Sequence, residues 1–372
     1  MILQFGTSRF LQAHVDLFAS EARDAGQTVA DIVIVQVSDD PVRAHRLVAF
    51  DDTAGFPVVI RGLEGGEPVQ RTVQVRSVVR GLAVARDWPE LCALFVGEVT
   101  HVVSNTGDHG YTVPPEDRIM LAGDQSPRSF PAILLALLNR RWQFGGAGVT
   151  ILPCELVVGN GQTLRATVLD LAEQLRLQPA FVEWLGAACL WVDTLVDRIV
   201  SEPIHPAGAV AEPYALWAIQ DQPGLVLPFT HQAIIVTDDL PRFERLKLHI
   251  LNLGHSWLAE RWHRAGAMPD ATVRQAMTDE DTLADLRRLY NDEVVPGFAA
   301  GGLGDEAATY VGNTIDRFAN PFIEHRLADI HASHAAKIAK RVGGFVDWVD
   351  ASGGEVPMPE LRALAQRYEV KK

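Results

Sequence analysis

The first 40 residues constrain the fold of this chain more than any other segment. Residues 1–5 form a short apolar run that ends at Gly6, and apolar residues at helical spacing follow between residues 10 and 25. Residues 31–37 then carry a continuous β-branched run, which is typical of a strand buried on both faces of a parallel sheet. A strand, a tight turn, a helix and a second strand within about 40 residues predict a βαβ unit.

The remaining pattern predicts a sheet domain followed by a helical domain. Short apolar strands alternate with helical patterns as far as residue 236, and residues 225–236 resemble a last pair of strands. We therefore expect an α/β fold in which a Rossmann-like, doubly wound sheet domain, residues 1–236, precedes a mostly α-helical domain, residues 237–372. Glycines between positions 297 and 304 predict a loop between two of the later helices.

The charge of the chain excludes one broad class of function. The 372 residues carry 33 Lys and Arg against 47 Asp and Glu, a net charge of −14. Because contact with phosphates requires a basic field, we do not expect general nucleic-acid binding, although a local basic pocket for a small anion stays possible. No apolar run reaches the roughly 18 residues of a membrane span, and no export signal is visible. We expect a cytoplasmic protein, a monomer or small homo-oligomer, without a membrane or nucleic-acid partner.

The three cysteines predict neither a disulfide framework nor a metal site. Cys92, Cys154 and Cys189 are odd in number and widely spaced. Buried apolar thiols in a reducing compartment are the simpler interpretation, and no metal is expected.

The turn after the first strand is the first candidate binding site. The segment from Gly6 through Ser8, Arg9 and Phe10 stands where a dinucleotide-binding fold places its phosphate loop, at the start of the first helix. The full G-x-G-x-x-G pattern is absent, since only Gly6 is a glycine and Ser8 and Arg9 occupy the later positions. An ordinary β-to-α turn is therefore the alternative.

Two further strand ends support a dinucleotide site. Asp39 follows the second strand, where an acid can accept hydrogen bonds from the ribose 2′-OH and would repel a 2′-phosphate, so NAD is favoured over NADP. Its alternative role is to cap a helix that starts near Pro41, and the neighbouring Arg43 and Arg46 keep NADP open. A later strand ends in small polar residues that would let a cofactor approach the backbone or would form a plain turn: Ser104, Asn105 and Thr106.

The most informative segment is the helix predicted over residues 243–263. Four polar side chains fall within an arc of about 140° on this helix: Glu244, Lys247, Asn252 and His255. Leucines share the arc, so the cluster is expected to be semi-buried. Desolvation favours the neutral form of a lysine, so Lys247 can act as a general base, Asn252 can donate to a developing oxyanion, and His255 can orient a hydroxyl. The alternative is an amphipathic helix with a solvated lysine.

At these positions the chain resembles a known family. The K-x4-N-x2-H spacing is similar to that of the polyol-specific long-chain dehydrogenase/reductases, the mannitol dehydrogenase family, and the tagaturonate reductases (altronate oxidoreductases) look closest within it. The resemblance extends over nearly the whole chain. Its other segments include Phe5-Gly6, Phe10-Leu11, Ser104-Asn105-Thr106, Pro153-Cys154-Glu155-Leu156, Asn160-Gly161, residues 194–200, Glu212-Pro213-Tyr214, Arg317-Phe318 and residues 320–326.

The resemblance implies metal-independent hydride transfer between NAD and a secondary alcohol of an open-chain sugar derivative. It implies that Lys247 is the general base, that Asn252 stabilises the oxyanion and that His255 binds substrate. Glu244 matches a glutamate that leads protons to and from the lysine. Asp197 and Arg317 match positions that contact substrate.

The substrate class stays open at this point. Leu156 stands where mannitol dehydrogenases carry a second oxyanion asparagine, and Asn160 is a candidate replacement. A hexuronate carries a carboxylate and needs a cation, for which the candidates in the matching segments are Arg198, Arg317 and Arg326. Each arginine has a structural ion pair as its alternative. A hexuronate reductase of the tagaturonate type is the first hypothesis, a neutral-polyol dehydrogenase the second, and a silent NAD-binding protein the third.

Overall fold

The computed structural model describes residues 1–107, 109–118, 126–266 and 268–368. The chain divides into two compact units. The first contains residues 1–60, 71–211 and 215–240, and the second contains residues 61–70, 212–214 and those from 241 onward.

Thirteen strands lie in the described part of the chain. They are β1 (Ile2–Phe5), β2 (Ile32–Gln36), β3 (Phe56–Glu64), β4 (Glu67–Val75), β5 (Val78–Ala83), β6 (His101–Ser104), β7 (Thr150–Pro153), β8 (Leu190–Trp191), β9 (Thr194–Asp197), β10 (Val200–Pro203), β11 (Ala209–Ala211), β12 (Leu216–Gln220) and β13 (Ile234–Thr237).

The main sheet of the first unit is parallel and has the order β5-β2-β1-β6-β7-β8. Counted within this sheet, the order is 3-2-1-4-5-6, that of a doubly wound dinucleotide-binding fold. Every residue of β1 and β2 is buried, which explains their continuous apolar sequence. The strand order reverses between β1 and β6, which run parallel with Phe5 beside Ser104. The predicted α/β, Rossmann-like class is confirmed.

Helices cover both faces of this sheet, and a separate apolar core lies on each face. Those of the first unit are α1 (Arg9–Gln12), α2 (Val15–Asp24), α3 (Pro41–Ala44), α4 (Val84–Gly97), α5 (Phe130–Gln143), α6 (Asn160–Gln174) and α7 (Pro179–Ala187), with 3-10 turns at Leu47–Phe50 and Pro115–Arg118. The single helix expected over residues 10–25 is interrupted at His14, whose buried ring packs between Phe10 and Phe18 at centroid distances of 4.7 and 4.5 Å. The helical spacing of apolar residues continues through this break, so the sequence pattern does not indicate it.

Two smaller sheets have the orders β10-β11-β3-β4 and β13-β12-β9. The strand pair expected over residues 225–236 is wrong, because only β13 lies at its end. Its parallel partner β12 comes earlier in the chain. Residues 225–229 are apolar because Leu225, Leu227 and Phe229 pack against the core as a loop, which Pro228 keeps out of a ladder.

The second unit is mostly helical, as predicted. Its helices are α8 (Leu240–Leu246), α9 (Asn252–Arg264), α10 (Val273–Thr278), α11 (Glu280–Leu289), α12 (Val295–Ala300), α13 (Gly304–Ala319), α14 (Leu327–His331), α15 (His334–Ile338), α16 (Gly344–Ala351) and α17 (Pro359–Tyr368). Three π turns connect consecutive helices without a break: Lys247–Leu251, Tyr290–Val294 and Ala339–Gly343.

The loop expected over residues 297–304 is shorter than predicted. Helix α12 continues through Gly297 to Ala300, and α13 begins at Gly304. Gly297 serves packing instead of a turn, since a Cβ there would lie 2.6 Å from Cζ of Phe345. Of the helices in the described ranges, none is both long and apolar enough to span a bilayer.

Candidate functional site

A cleft of about 530 Å³ lies where the strand order of the main sheet reverses, between β1 and β6. Residues 6–9, 36–38 and 105–107 line it, together with Arg46 and Arg128. The carboxyl ends of strands at such a reversal are where open α/β sheets bind their ligands. Gly6, Ser8, Arg9, Asn105 and Thr106 are among the lining residues, so five of the predicted cofactor residues come together here.

Gly6 is required by its backbone geometry. Its φ is +112°, and a Cβ at this position would lie 2.4 Å from the carbonyl oxygen of Asn105. The turn after β1 can therefore approach the turn after β6 only with a glycine. Ser8 caps the one-turn helix α1, because its Oγ accepts the N–H of Leu11 at 3.2 Å.

Arg9 ties the cleft to a loop of the same unit. Its guanidinium donates to the carbonyl oxygens of Pro206 and Gly208 at 3.1 and 3.0 Å and to Oε1 of Gln12 at 3.1 Å. Burial, followed by the nearby charge of Arg46, lowers the pKa of Arg9. The guanidinium is thus held at the edge of the cleft by fixed acceptors.

Three residues of the predicted cofactor set do not line the cleft. The ring of Phe10 stacks on His14, and the carboxylate of Asp39 is exposed. Ser104 is completely buried beneath the turn that follows β6. The side chain of Arg43 lies outside the described residues, whereas Arg46 is a lining residue.

Glu155 organises the turn after β6 and was missed from sequence. Its Oε1 accepts the N–H and Oγ1 of Thr106, both at 3.0 Å, and its Oε2 accepts Ser104 Oγ and the Tyr111 hydroxyl, also at 3.0 Å. Burial and the charge of Glu155 raise the pKa of Tyr111, which stays a donor. A charged residue two positions after the apolar strand β7 was the available signal.

Asn160 has no remaining capacity for an oxyanion. Its Nδ2 donates to the carbonyl oxygens of Pro153, Glu155 and Thr194 at 3.0, 3.2 and 3.0 Å. Its Oδ1 accepts the N–H groups of Gly161 and Thr194, both at 2.9 Å. An amide offers two hydrogens and two lone pairs, so the geometry assigns Asn160 to the joining of β7, β9 and α6.

Asp197 ends strand β9 and Arg198 follows it, and both residues are buried. Nη1 of Arg198 donates to the carbonyl oxygen of Ala13 at 2.6 Å, and its guanidinium lies 5.9 Å from the centre of the Phe18 ring. This arginine therefore holds the break between α1 and α2.

In the second unit, a π turn brings the polar residues of the predicted helix onto one face. The N–H of Asn252 donates to the carbonyl of Lys247, an i→i−5 bond. In a continuous α-helix, residues five apart would lie about 140° from each other. The extra residue in the π turn stacks them instead. His255 follows Asn252 by three residues on α9, and Glu244 precedes Lys247 by three on α8, so each lies one turn away.

His255 is buried against two other rings. Its ring centroid lies 4.4 Å from that of Phe318 and 4.8 Å from that of His325, which meets it edge-on. Burial lowers the pKa of His325, which favours its neutral form. His325 stood in a matching segment of the sequence, yet its partner is 70 residues away, so spacing alone could not reveal the contact.

Arg317 lies in a buried bidentate ion pair. Its Nε and Nη2 lie 3.0 and 2.9 Å from the two carboxylate oxygens of Glu212, and both side chains are at most 3% exposed. The guanidinium also lies 4.6 Å from the centre of the Tyr214 ring. By contrast, the half-exposed Arg326 lies 3.4 Å from Asp329. Arg317 therefore forms the structural ion pair that was the alternative to substrate binding. The guanidinium of Arg326 stays accessible.

The thiols and potential metal ligands take no part in these clusters. Cys92, Cys154 and Cys189 are buried free thiols, as expected. Across the described ranges, no group of three or more His, Cys, Asp and Glu side chains is arranged to hold a metal ion.

Comparisons with known proteins agree with this architecture. The mannitol dehydrogenase Rossmann domain matches residues 1–226, and the mannitol dehydrogenase C-terminal domain matches residues 239–356. An altronate oxidoreductase of Klebsiella pneumoniae (strain 342) is 32% identical over 98% of this chain and 78% of its own length. An altronate oxidoreductase of Bacillus subtilis (strain 168) is 28% identical over 91% of this chain and 73% of its own length.

Two solved structures share the fold. A substrate-free D-sorbitol dehydrogenase superimposes with a TM-score of 0.79 and 19% identity, over 93% of this chain and 75% of that one. The Pseudomonas fluorescens mannitol 2-dehydrogenase, solved in a ternary complex with NAD and D-mannitol, superimposes with a TM-score of 0.70 and 18% identity. This match covers 99% of this chain and 84% of that one. The resemblance inferred from the sequence is confirmed. This chain belongs to the mannitol dehydrogenase family of oxidoreductases.

Proposed function

We propose that this protein is an NAD-dependent, metal-independent oxidoreductase that interconverts a keto-sugar acid and its sugar alcohol acid, of the tagaturonate/altronate type. The observation that carries the proposal is the π turn, which aligns Lys247 and Asn252 on one helix face with His255 one turn further on. The altronate oxidoreductases among its relatives support the substrate class.

The cleft fits a dinucleotide. Gly6 leaves room for close approach to the backbone, and the lining residues that the structure describes include the arginines Arg9, Arg46 and Arg128. The described lining residues include no carboxylate. Close approach to the backbone and a cationic lining both favour the binding of a pyrophosphate. The mannitol 2-dehydrogenase that shares this fold was solved in a complex with NAD, which supports NAD as the cofactor.

The polar helix face supplies proton transfer and charge stabilisation. A bound NAD would supply the acceptor for the hydride that leaves the carbinol carbon in the oxidation direction. The unprotonated amine of Lys247 takes the hydroxyl proton, while Asn252 donates a hydrogen bond to the oxygen as it becomes alkoxide-like. His255 orients the substrate hydroxyl. In the reduction direction the ammonium of Lys247 returns the proton. Glu244, one turn before Lys247, carries protons between the lysine and solvent.

The surroundings of the arginines bear on the choice between the two candidate substrate classes. Arg198 donates to the backbone of Ala13, and Arg317 is held by Glu212. Arg326 is therefore the proposed partner of a substrate carboxylate. The engagement of Arg198 and Arg317 is also the observation that favours the second candidate, a dehydrogenase for a neutral polyol and its ketose, since such a substrate needs no cation.

One assay tests the proposal and separates the candidates. Consumption of NADH is measured with tagaturonate, fructuronate, fructose and no added sugar. Turnover with a hexuronate supports the first candidate, and turnover with fructose alone supports the second. If none of the three sugars stimulates NADH consumption, both proposed activities are refuted.

Variants of Lys247 test the mechanism. A positioned general base contributes about 10²–10⁴-fold, so Lys247→Ala lowers turnover at least about 100-fold while NADH binding persists. Lys247→Arg keeps the positive charge but does not give up its proton, and it is expected to be equally inactive. Wild-type turnover in either variant would exclude lysine as the acid/base.

A further inference from the structure

Side-chain hydrogen bonds join the first π turn of the second unit, Lys247–Leu251, to each of the other two described above. The hydroxyl of Tyr290, the first residue of the second π turn, donates to the carbonyl oxygen of Ile250 in the first, at 2.9 Å. Nδ1 of His249, in the first turn, donates to the carbonyl oxygen of Arg341 in the third, at 2.8 Å. The first π turn is thus in direct contact with the other two.

Arg341 returns a second set of bonds to the same helix. Its Nη1 donates to the carbonyl oxygen of Asn252 at 3.2 Å and to Oγ of Ser256 at 2.9 Å. Burial lowers the pKa of both Arg341 and His249. Because its acceptor is a carbonyl oxygen, the ring of His249 must carry its hydrogen on Nδ1. These bonds fix the backbone on both sides of the amide that closes the turn.

The hydroxyl of Tyr290 reaches its acceptor only because residue 254 is a glycine. Tyr290 is completely buried, and a Cβ at Gly254 would lie 1.9 Å from the hydroxyl oxygen. Burial also raises the pKa of Tyr290, so the phenol remains a hydrogen-bond donor. The missing side chain at Gly254 in α9 therefore lets the phenol reach the carbonyl oxygen of Ile250 in the preceding π turn.

A π turn is rare, occurs mostly as a single turn inside an α-helix, and is frequent at functional sites. Here the turn determines the relative orientation of Lys247 and Asn252, since an α-helical register would separate them by about 140°. Contacts that keep the turn closed therefore control the alignment of these two side chains.

We infer that Tyr290 and Arg341 are positioning residues: their side chains hold the π turn closed and thereby keep Lys247 and Asn252 aligned. Neither residue is required to touch substrate or cofactor. The catalytic consequence rests on the proposed function, whereas the effect on the backbone does not.

Hydrogen exchange tests the effect on the backbone without any substrate. Tyr290→Phe removes only the hydroxyl, and one such bond corresponds to about a fivefold change in an opening equilibrium. Exchange of the peptide covering residues 245–256 is expected to accelerate about fivefold or more. Tyr368→Phe is the matched control, because it removes a hydroxyl that donates to Oε2 of Glu260 at 2.6 Å in the same unit. That control is expected to leave this peptide unchanged.

Steady-state kinetics test the catalytic consequence. Tyr290→Phe is expected to lower kcat about 5- to 30-fold and to change the pH profile of kcat, while the KM for NADH stays constant. Arg341→Met is expected to behave in the same way, and Arg341→Lys to recover part of the loss because its ammonium can reach one acceptor. Tyr368→Phe lowers Tm without changing kcat, which separates positioning from general stability.

The outcomes distinguish this inference from the proposed function. Unchanged exchange in both Tyr290→Phe and Arg341→Met would overturn the inference, and so would wild-type kcat in both when Lys247→Ala is inactive. If Tyr290→Phe does not fold, the comparison of Arg341→Lys with Arg341→Met decides. Accelerated exchange together with an active Lys247→Ala variant would retain the positioning role and refute the proposed chemistry instead.

Discussion

Asp16 is a buried carboxyl group whose replacement is expected to stabilise the protein. It is completely buried in the first turn of α2, where Nε2 of Gln4 donates to its Oδ2 at 3.2 Å. Burial raises its pKa to about 8, although the hydrogen bond from Gln4 acts in the opposite direction. Within the described residues, its Oδ1 has no hydrogen-bond partner. Asp16→Asn keeps the acceptor for Gln4 and cannot ionise at any pH.

The magnitude follows from the difference in pKa between the folded and unfolded states. In the unfolded chain the carboxyl ionises above its model value of 3.8, whereas in the folded chain it keeps its proton up to about 8. Its contribution to stability is therefore fully present below pH 3.8 and is lost as the pH rises to about 8. Between 3.8 and 7, at about 1.36 kcal/mol per pH unit, the loss is about 4 kcal/mol.

The assay is urea unfolding of Asp16→Asn and wild type at pH 6, 7 and 9. The stability gained by the variant should grow by about 1.4 kcal/mol between pH 6 and 7 and level off above pH 8. At about 2–4 °C per kcal/mol for a domain of this size, Tm at pH 7 rises by roughly 10 °C. Asp31→Asn is the control, because this exposed carboxylate pairs with Arg23 at 2.8 Å and its loss costs up to about 1 kcal/mol. A gain that does not vary with pH would refute the reasoning.

Three further substitutions have defined outcomes. Gly6→Ala should weaken NADH binding at least about tenfold in a fluorescence titration, whereas Gly26→Ala, at φ +87° with nothing within 4 Å, should not. Glu155→Gln should weaken NADH binding and lower Tm, because it loses charge-assisted bonds worth about 1.5–3 kcal/mol each. Glu212→Gln should destabilise the protein by about 3–5 kcal/mol in urea unfolding, since it removes the carboxylate from a buried arginine; a smaller loss than for an exposed ion pair would contradict this.

The sequence predicted those parts of the fold in which burial and local spacing coincide. Strands β1 and β2 are buried on both faces, so their apolar runs stand out, and the turn at Gly6 follows from the βαβ pattern. The break at His14 and the packing role of Gly297 could not be predicted. The local pattern is that of one continuous helix in the first case and of a glycine-rich loop in the second. Contacts with side chains distant in the sequence determine the observed structure instead.

For the candidate site, the sequence predicts members but not their arrangement. The spacing of Lys247, Asn252 and His255 makes them candidates, yet a helix of constant pitch separates the first two by about 140°. The proposed supports of the π turn are Tyr290, which bonds to Ile250 from 40 positions away, and Arg341, which bonds to Asn252 from 89 positions away. Glu155 was missed for the same reason, since its hydrogen-bond donors come from elsewhere in the chain.

The ion pair of Glu212 and Arg317 has a consequence for dissecting this protein. The glutamate precedes β12, in the midst of segments that belong to the first unit, yet it neutralises a guanidinium on α13 of the second. A fragment that begins at residue 241 would carry that guanidinium without its counter-ion and would lack residues 61–70 and 212–214. Independent expression of the helical half should therefore yield an unstable polypeptide, and the gene cannot be divided there without adding back both short segments.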